Sequence, residues 1–194
     1  MRGIIACFLI VGSTPAGAEE PFSHVRSEQA AVRSWLAEGY ERSVTFRALV
    51  DEIDRRPGLV YIEATSNVPH QLDGALVHNI SGSRELPMLR VIVRASLDRV
   101  DGITTLAHEM QHVVEVLRAG KTIDGAAMSE LFAAINGTHR NGSTLYETAE
   151  ARSVAQRVRG ELNRTQPPIP FTRVSNRFRD YVRAKAIPRR RVDN

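Results

Sequence analysis

The spacing of hydrophobic positions changes several times along the chain, and each change predicts an element. Residues 27–38 carry apolar side chains at helical spacing, with Ser27 as the predicted cap and Gly39 as the predicted stop. Ser43 opens a second helical stretch in which Phe46, Leu49, Val50 and Ile53 share one face, and Pro57-Gly58 ends it. The period then falls to two. Residues 59–64 read as a short strand, 75–80 as a weaker one and 88–97 as the clearest. In the last, Leu89, Val91, Val93, Ala95 and Leu97 share a face while Arg90 and Arg94 point the other way. Helical spacing returns with Leu106, Ala107, Met110, Val113, Val114 and Leu117, where Asp101 is the predicted cap and Gly120 the predicted left-handed end. A further helix aligns Glu147 with Ala151, Val154, Val158 and Leu162. Helices, a small mixed sheet and more helices predict an α+β domain.

The two ends of the chain read differently from this body. Met1-Arg2 is a short positive start, residues 4–11 are apolar, and Ala16-Gly17-Ala18 fits a small-residue cleavage site. The apolar run is too short to span a bilayer, which takes about 20 residues. Residues 1–18 are therefore read as a signal peptide cleaved after Ala18, which implies a secreted or periplasmic protein. Cys7, the one cysteine, leaves with it, so the mature domain holds no disulfide and no thiolate ligand.

Residues 19–162 form the predicted domain, with 16 Lys/Arg against 20 Asp/Glu; residues 163–194 hold 9 against 2, a net of +7. In that tail Pro167-Pro168-Ile169-Pro170 stops the preceding helix, and Val174, Phe178, Tyr181 and Val182 recur at helical spacing among arginines. It reads as an amphipathic helix docking on the acidic body, or else as a peripheral contact with anionic surfaces. Export argues against a nucleic-acid partner. The pattern specifies no oligomeric state.

Chemistry concentrates in His108-Glu109-Met110-Gln111-His112. Histidines four apart on a helix project from one face, one turn apart, which suits a divalent metal bound by neutral imidazole nitrogens. Glu109 sits beside them with a carboxylate able to act on a water. This His-Glu-x-x-His signature resembles the zincin metallopeptidases, and a sheet followed directly by the metal helix is similar to the N-terminal half of that family.

The resemblance implies a zincin-like single domain, with one Zn2+ and a peptide or protein substrate. It also implies an edge strand that lines the cleft and pairs with extended substrate, for which residues 89–97 are the candidate. Catalytic zinc usually takes three protein ligands and an open position. The metzincin spacing is excluded, because Glu115 and Arg118 stand where Gly and His or Asp would be needed. The remaining branch, the gluzincins, takes a carboxylate from a downstream helix.

Glu147 is the leading third ligand, since a carboxylate on an apolar helix face needs a partner. It could instead close a capping box with Thr144. Glu130, 18 residues after His112, is the rival. Gluzincins often carry an Asp four residues after the ligand Glu, oriented toward the first histidine. Here that position is Ala151, so the partner must be a backbone carbonyl, Glu150 or Asp124.

The expected chemistry is peptide-bond hydrolysis by a zinc-activated water, with Glu109 as general base and Tyr146 or His139 donating to the developing oxyanion. The alternative is a zincin-like binding or scaffold module that hydrolyses nothing. His70 and His78 lack ligand spacing and are read as structural.

Overall fold

A computed structural model describes residues 22–82, 86–120, 125–135, 137–139 and 146–164. Residues 1–21, with the signal segment, and 165–194, with the basic tail, lie outside the described residues. The order is β1 (Val25–Arg26), α1 (Ala30–Arg42), α2 (Val44–Asp54), β2 (Leu59–Thr65), β3 (Gly74–Gly82), β4 (Pro87–Arg94), α3 (Arg99–Ala119), α4 (Gly125–Ala134), β5 (Thr138–His139), β6 (Tyr146–Glu147) and α5 (Ala149–Arg164). The protein is α+β, with five helices and a four-stranded mixed sheet among the described residues.

The alternation in the strands becomes two unlike faces. Val60, Ile62, Leu76, Leu89, Val91 and Val93 turn inward and join one core with the buried faces of α1, α2, α3 and α5. Fully burying such a side chain contributes about 1.5–3 kcal/mol, so this face fixes the register of the sheet. Tyr61, Met88 and Arg90 point to the exposed side. Near one end of that side, Val68, Leu72 and Ala75 form a minor cluster with Ile92.

Strand order is β1-β2-β4-β3, parallel except for β3, which pairs antiparallel with β4. The sequence offered β4 as the cleft-lining edge, and this is corrected. β4 is hydrogen-bonded on both sides, by β2 and β3, and has no edge to offer. The strand at the sheet's margin beside α3 is β3.

Two helix starts and one helix end differ from expectation. α1 begins after Gln29, while Ser27 forms a turn by accepting from Gln29 N at 3.2 Å. Gly39 lies inside α1, because any Cβ there would stand 2.9 Å from the Phe46 ring that packs on it. In α3 the cap is Asp98, whose carboxylate accepts from Asp101 N at 2.9 Å; Asp101 is in the first turn and pairs with Arg159. Ser43 caps α2 as expected, accepting from Phe46 N at 2.9 Å, and Gly120 ends α3 with φ of 63°. Arg94 is no solvated ornament: its guanidinium donates to the carbonyls of Pro69, His70 and Leu72, holding the loop that leads into β3.

Candidate metal centre

Helix α3 carries the first half of the site. Leu106, Ala107, Met110, Val113, Val114 and Leu117 anchor it in the core, which fixes its rotation. His112 is thereby buried, at 4% exposure, and His108 sits half-buried one turn earlier, the two rings meeting edge-on at 5.0 Å. The Oε2 atom of Glu115 accepts from His112 Nδ1 at 2.8 Å. With the proton on Nδ1, His112 presents its Nε2 lone pair to the site. That Nε2 is buried and has no hydrogen-bond partner. An unsatisfied buried polar atom costs about 1–3 kcal/mol, a cost that a bound cation would offset.

The second half comes from the segment before α5. Glu147 brings Oε1 to 3.4 Å from His108 Nε2. That is too long for a good N–H···O bond. It is about the separation of two atoms that each lie about 2.0–2.1 Å from one tetrahedral ion. One ligand atom each from His108, His112 and Glu147 falls within a mutual 4.8 Å. Two imidazoles and a carboxylate make a donor set that fits a divalent metal of zinc type.

Glu147 therefore reaches the cluster, but not from a helix. It lies on β6, paired with Thr138 of β5. The helix begins two residues later, capped by Thr148, whose hydroxyl accepts from Ala151 N at 3.1 Å. The expected register of α5 still holds, since Ala151, Val154, Val158 and Leu162 are all buried. Thr144, the other proposed partner of Glu147, lies outside the described residues. The rival Glu130 is exposed on α4 and outside the cluster; its neighbours Met128 and Phe132 are the α4 residues that turn inward.

Glu115 is the functional residue that the sequence reading missed. Besides His112 it accepts from Thr148 Oγ1 at 2.8 Å and Gln111 Nε2 at 3.4 Å. It thus ties α3 to the residue next to Glu147. Of the partners expected for a histidine, Glu150 pairs with Arg157 at the surface and Asp124 lies outside the described residues. The available signal was a carboxylate three residues after His112 on a helix, where i and i+3 side chains meet.

The electrostatics favour a cation. Burial alone would push the His112 imidazole down, but the bond to Glu115 and the charges of Glu109, Glu115 and Glu147 hold it above its ordinary value. Burial would push the Glu115 carboxyl up; bonds from His112, Thr148 and Gln111 hold it below.

Glu109 is buried against the start of β3, where a Cβ on Gly74 would stand 2.8 Å from Thr105 and 3.1 Å from Glu109. Only glycine lets strand and helix approach so closely there. His108, Glu109, Glu147 and Gly74 border two recesses. One is small, about 40 Å3, walled by Leu72, Leu76, Met128, Phe132 and Tyr146. Tyr146 stacks on Phe132 at 5.0 Å, and Phe132 meets His112 edge-on at 5.3 Å. The other is a wider, polar groove of about 300 Å3 between α3, α5 and the start of β3. His139 is on β5 opposite Tyr146, its side chain outside those described. His70 is exposed, and the side chain of His78 also lies outside those described.

In comparison with known proteins, no family model, curated protein or solved structure matches the chain.

Proposed function

We propose that this protein is an exported, zinc-dependent peptidase of gluzincin type, with His108, His112 and Glu147 as the metal ligands. The observation that carries the reading is the convergence of these three donors, with the lone pair of buried His112 Nε2 unused. Glu109, in the same motif, borders the same space. The signal-like start of the chain supports export. A zincin-like fold is supported by a mixed sheet whose antiparallel edge strand runs beside the His-Glu-x-x-His helix. On this reading β3 takes the role first given to β4, and an extended peptide would lie along it.

When bound, zinc would supply Lewis acidity to a water and to the scissile carbonyl. The chain's own residues do the rest. Glu109 accepts the water's proton and returns it to the leaving amine. Its side chain packs close against Gly74 at the start of β3. Glu115 holds His112 in the tautomer that offers Nε2, and through Thr148 it steadies the segment bearing Glu147. Tyr146, on the wall of the apolar recess, is the residue assigned to the oxyanion.

The test is hydrolysis of an unstructured protein substrate by the zinc-loaded chain. Glu109→Gln should keep its zinc and lose about 10²–10⁴-fold in turnover. Equal turnover in wild type and variant would remove Glu109 as the base, and no turnover by the zinc-loaded wild type would end the peptidase reading.

A further inference from the structure

The polar groove holds one cation that structural needs do not explain. Arg152 lines it together with His108, Glu109 and Glu147. Its side chain is exposed, and among the described residues its guanidinium makes no ion pair or hydrogen bond. Neighbouring arginines on the same helix are engaged: Arg157 with Glu150 and Ser153, Arg159 with Asp101. Arg152 is also the fourth residue of α5, in the first turns, where the helix dipole disfavours a positive charge. Placed against the dipole and without a carboxylate among the described residues, this cation has no electrostatic stabilisation there to explain it. It does border the recess that contains the proposed base and two of the proposed metal ligands.

The other wall of the groove sharpens the contrast. Asp73 is paired with Arg94 at 3.5 Å, Thr104 and Thr105 are neutral, and Gln156 is neutral beside Arg152. The acidic groups lie at the centre of the site and, among the described residues, the one available guanidinium lies at its flank. A ligand spanning the two would place a polar carbonyl near the ligand cluster and an anion on Arg152. Guanidinium recognises carboxylates with two parallel N–H···O bonds, which fixes direction as well as adding affinity.

We propose that Arg152 is a specificity residue that recruits peptides carrying a carboxylate on the groove side of the scissile bond. This rests on the peptidase reading, yet its test does not require turnover. The carboxylate could be the peptide's C-terminus or an Asp or Glu side chain, and the probes separate the two.

The experiment uses the full chain loaded with zinc and carrying Glu109→Gln, so that bound peptide is not cut. Binding is measured by calorimetry for three matched peptides: one with a free C-terminus, its C-terminal amide, and the amide with an internal Glu. At least one carboxylate-bearing peptide should bind about five- to tenfold more tightly than the plain amide, as a partly exposed charged hydrogen bond provides. Arg152→Gln should remove that preference and Arg152→Lys should keep part of it. The winning peptide identifies the source of the carboxylate. Equal binding of all three, no binding of any, or a preference that survives Arg152→Gln would overturn the proposal. Failure of the peptidase reading shows separately, as absence of hydrolysis by the zinc-loaded wild type.

Discussion

The first turn of helix α3 and its middle, around the two histidines, treat buried charge in opposite ways. At its start, Glu38 of α1 meets both Arg42 and Arg99, and Arg42 also donates to the carbonyl of Leu162. Close by, Glu161 of α5 accepts from Ser43 Oγ, Thr45 Oγ1 and Thr45 N, serving as a second cap for α2. Charges there meet opposite charges or donors, and the effect is to lock α1, α2, α3 and α5 together. Eight residues after Asp101 the pattern reverses. Glu109, Glu115 and Glu147 gather around two imidazoles, and His112 Nε2 is left without a partner. A fold can supply a buried carboxylate with partners, as Glu38 and Glu161 show. Where it leaves a buried polar atom unsatisfied and surrounds it with negative charge, as at His112 Nε2, the arrangement suits a cation, which is the partner proposed here.

Variants in the two regions should separate stability from metal binding. The largest effect is expected from Glu38→Gln, which leaves Arg42 buried beside a neutral group. It should cost about 3 kcal/mol in chemical unfolding and leave zinc affinity unchanged. Glu115→Gln should do the reverse. It keeps the shape of the site but loses the charge that orients His112, and zinc should bind about 10–100-fold more weakly in chelator competition. A loss of stability with unchanged zinc affinity would make Glu115 a structural residue like Glu38.

A smaller effect is expected at Glu161. Burial would push its carboxyl up, but the bonds from Ser43 and Thr45 hold it below the ordinary value of 4.5. The sign follows from linkage: the ionised form is favoured in the folded state, so its contribution is full above pH 4.5 and is lost as pH falls through the lowered value. Glu161→Gln should cost about 1 kcal/mol near neutrality and flatten the acid limb of a plot of melting temperature against pH. An unchanged acid limb would mean that Glu161 is solvated and makes no net contribution as a cap. The smallest effect is expected at Glu130, exposed on α4, where Gln should change neither stability nor zinc binding measurably.

Much of this is legible in the sequence. The helical face from Leu106 to Leu117, the strands and the two histidines follow from side-chain periodicity, because burial acts on single positions. Strand order does not follow. Alternation in β4 says that one face is buried, and it says nothing about which strand lies at the margin, so the edge was assigned to β4 instead of β3. Glu147 was found by its cost on an apolar face, yet the helix starts only at Ala149, because the Thr148 hydroxyl provides the cap. Glu115 is not singled out by the sequence pattern, because a glutamate three residues after a histidine on a helix is as common on a solvated face. Its role depends on Thr148, 33 residues away, and on burial that no local pattern encodes.

The central claim is that His108, His112 and Glu147 form a single metal site, and elemental analysis of the purified protein tests it most directly. After refolding with zinc, the account predicts about one zinc per chain and a large loss in Glu147→Gln. No zinc in the wild type, or the same content in the Glu147→Gln variant, would contradict it.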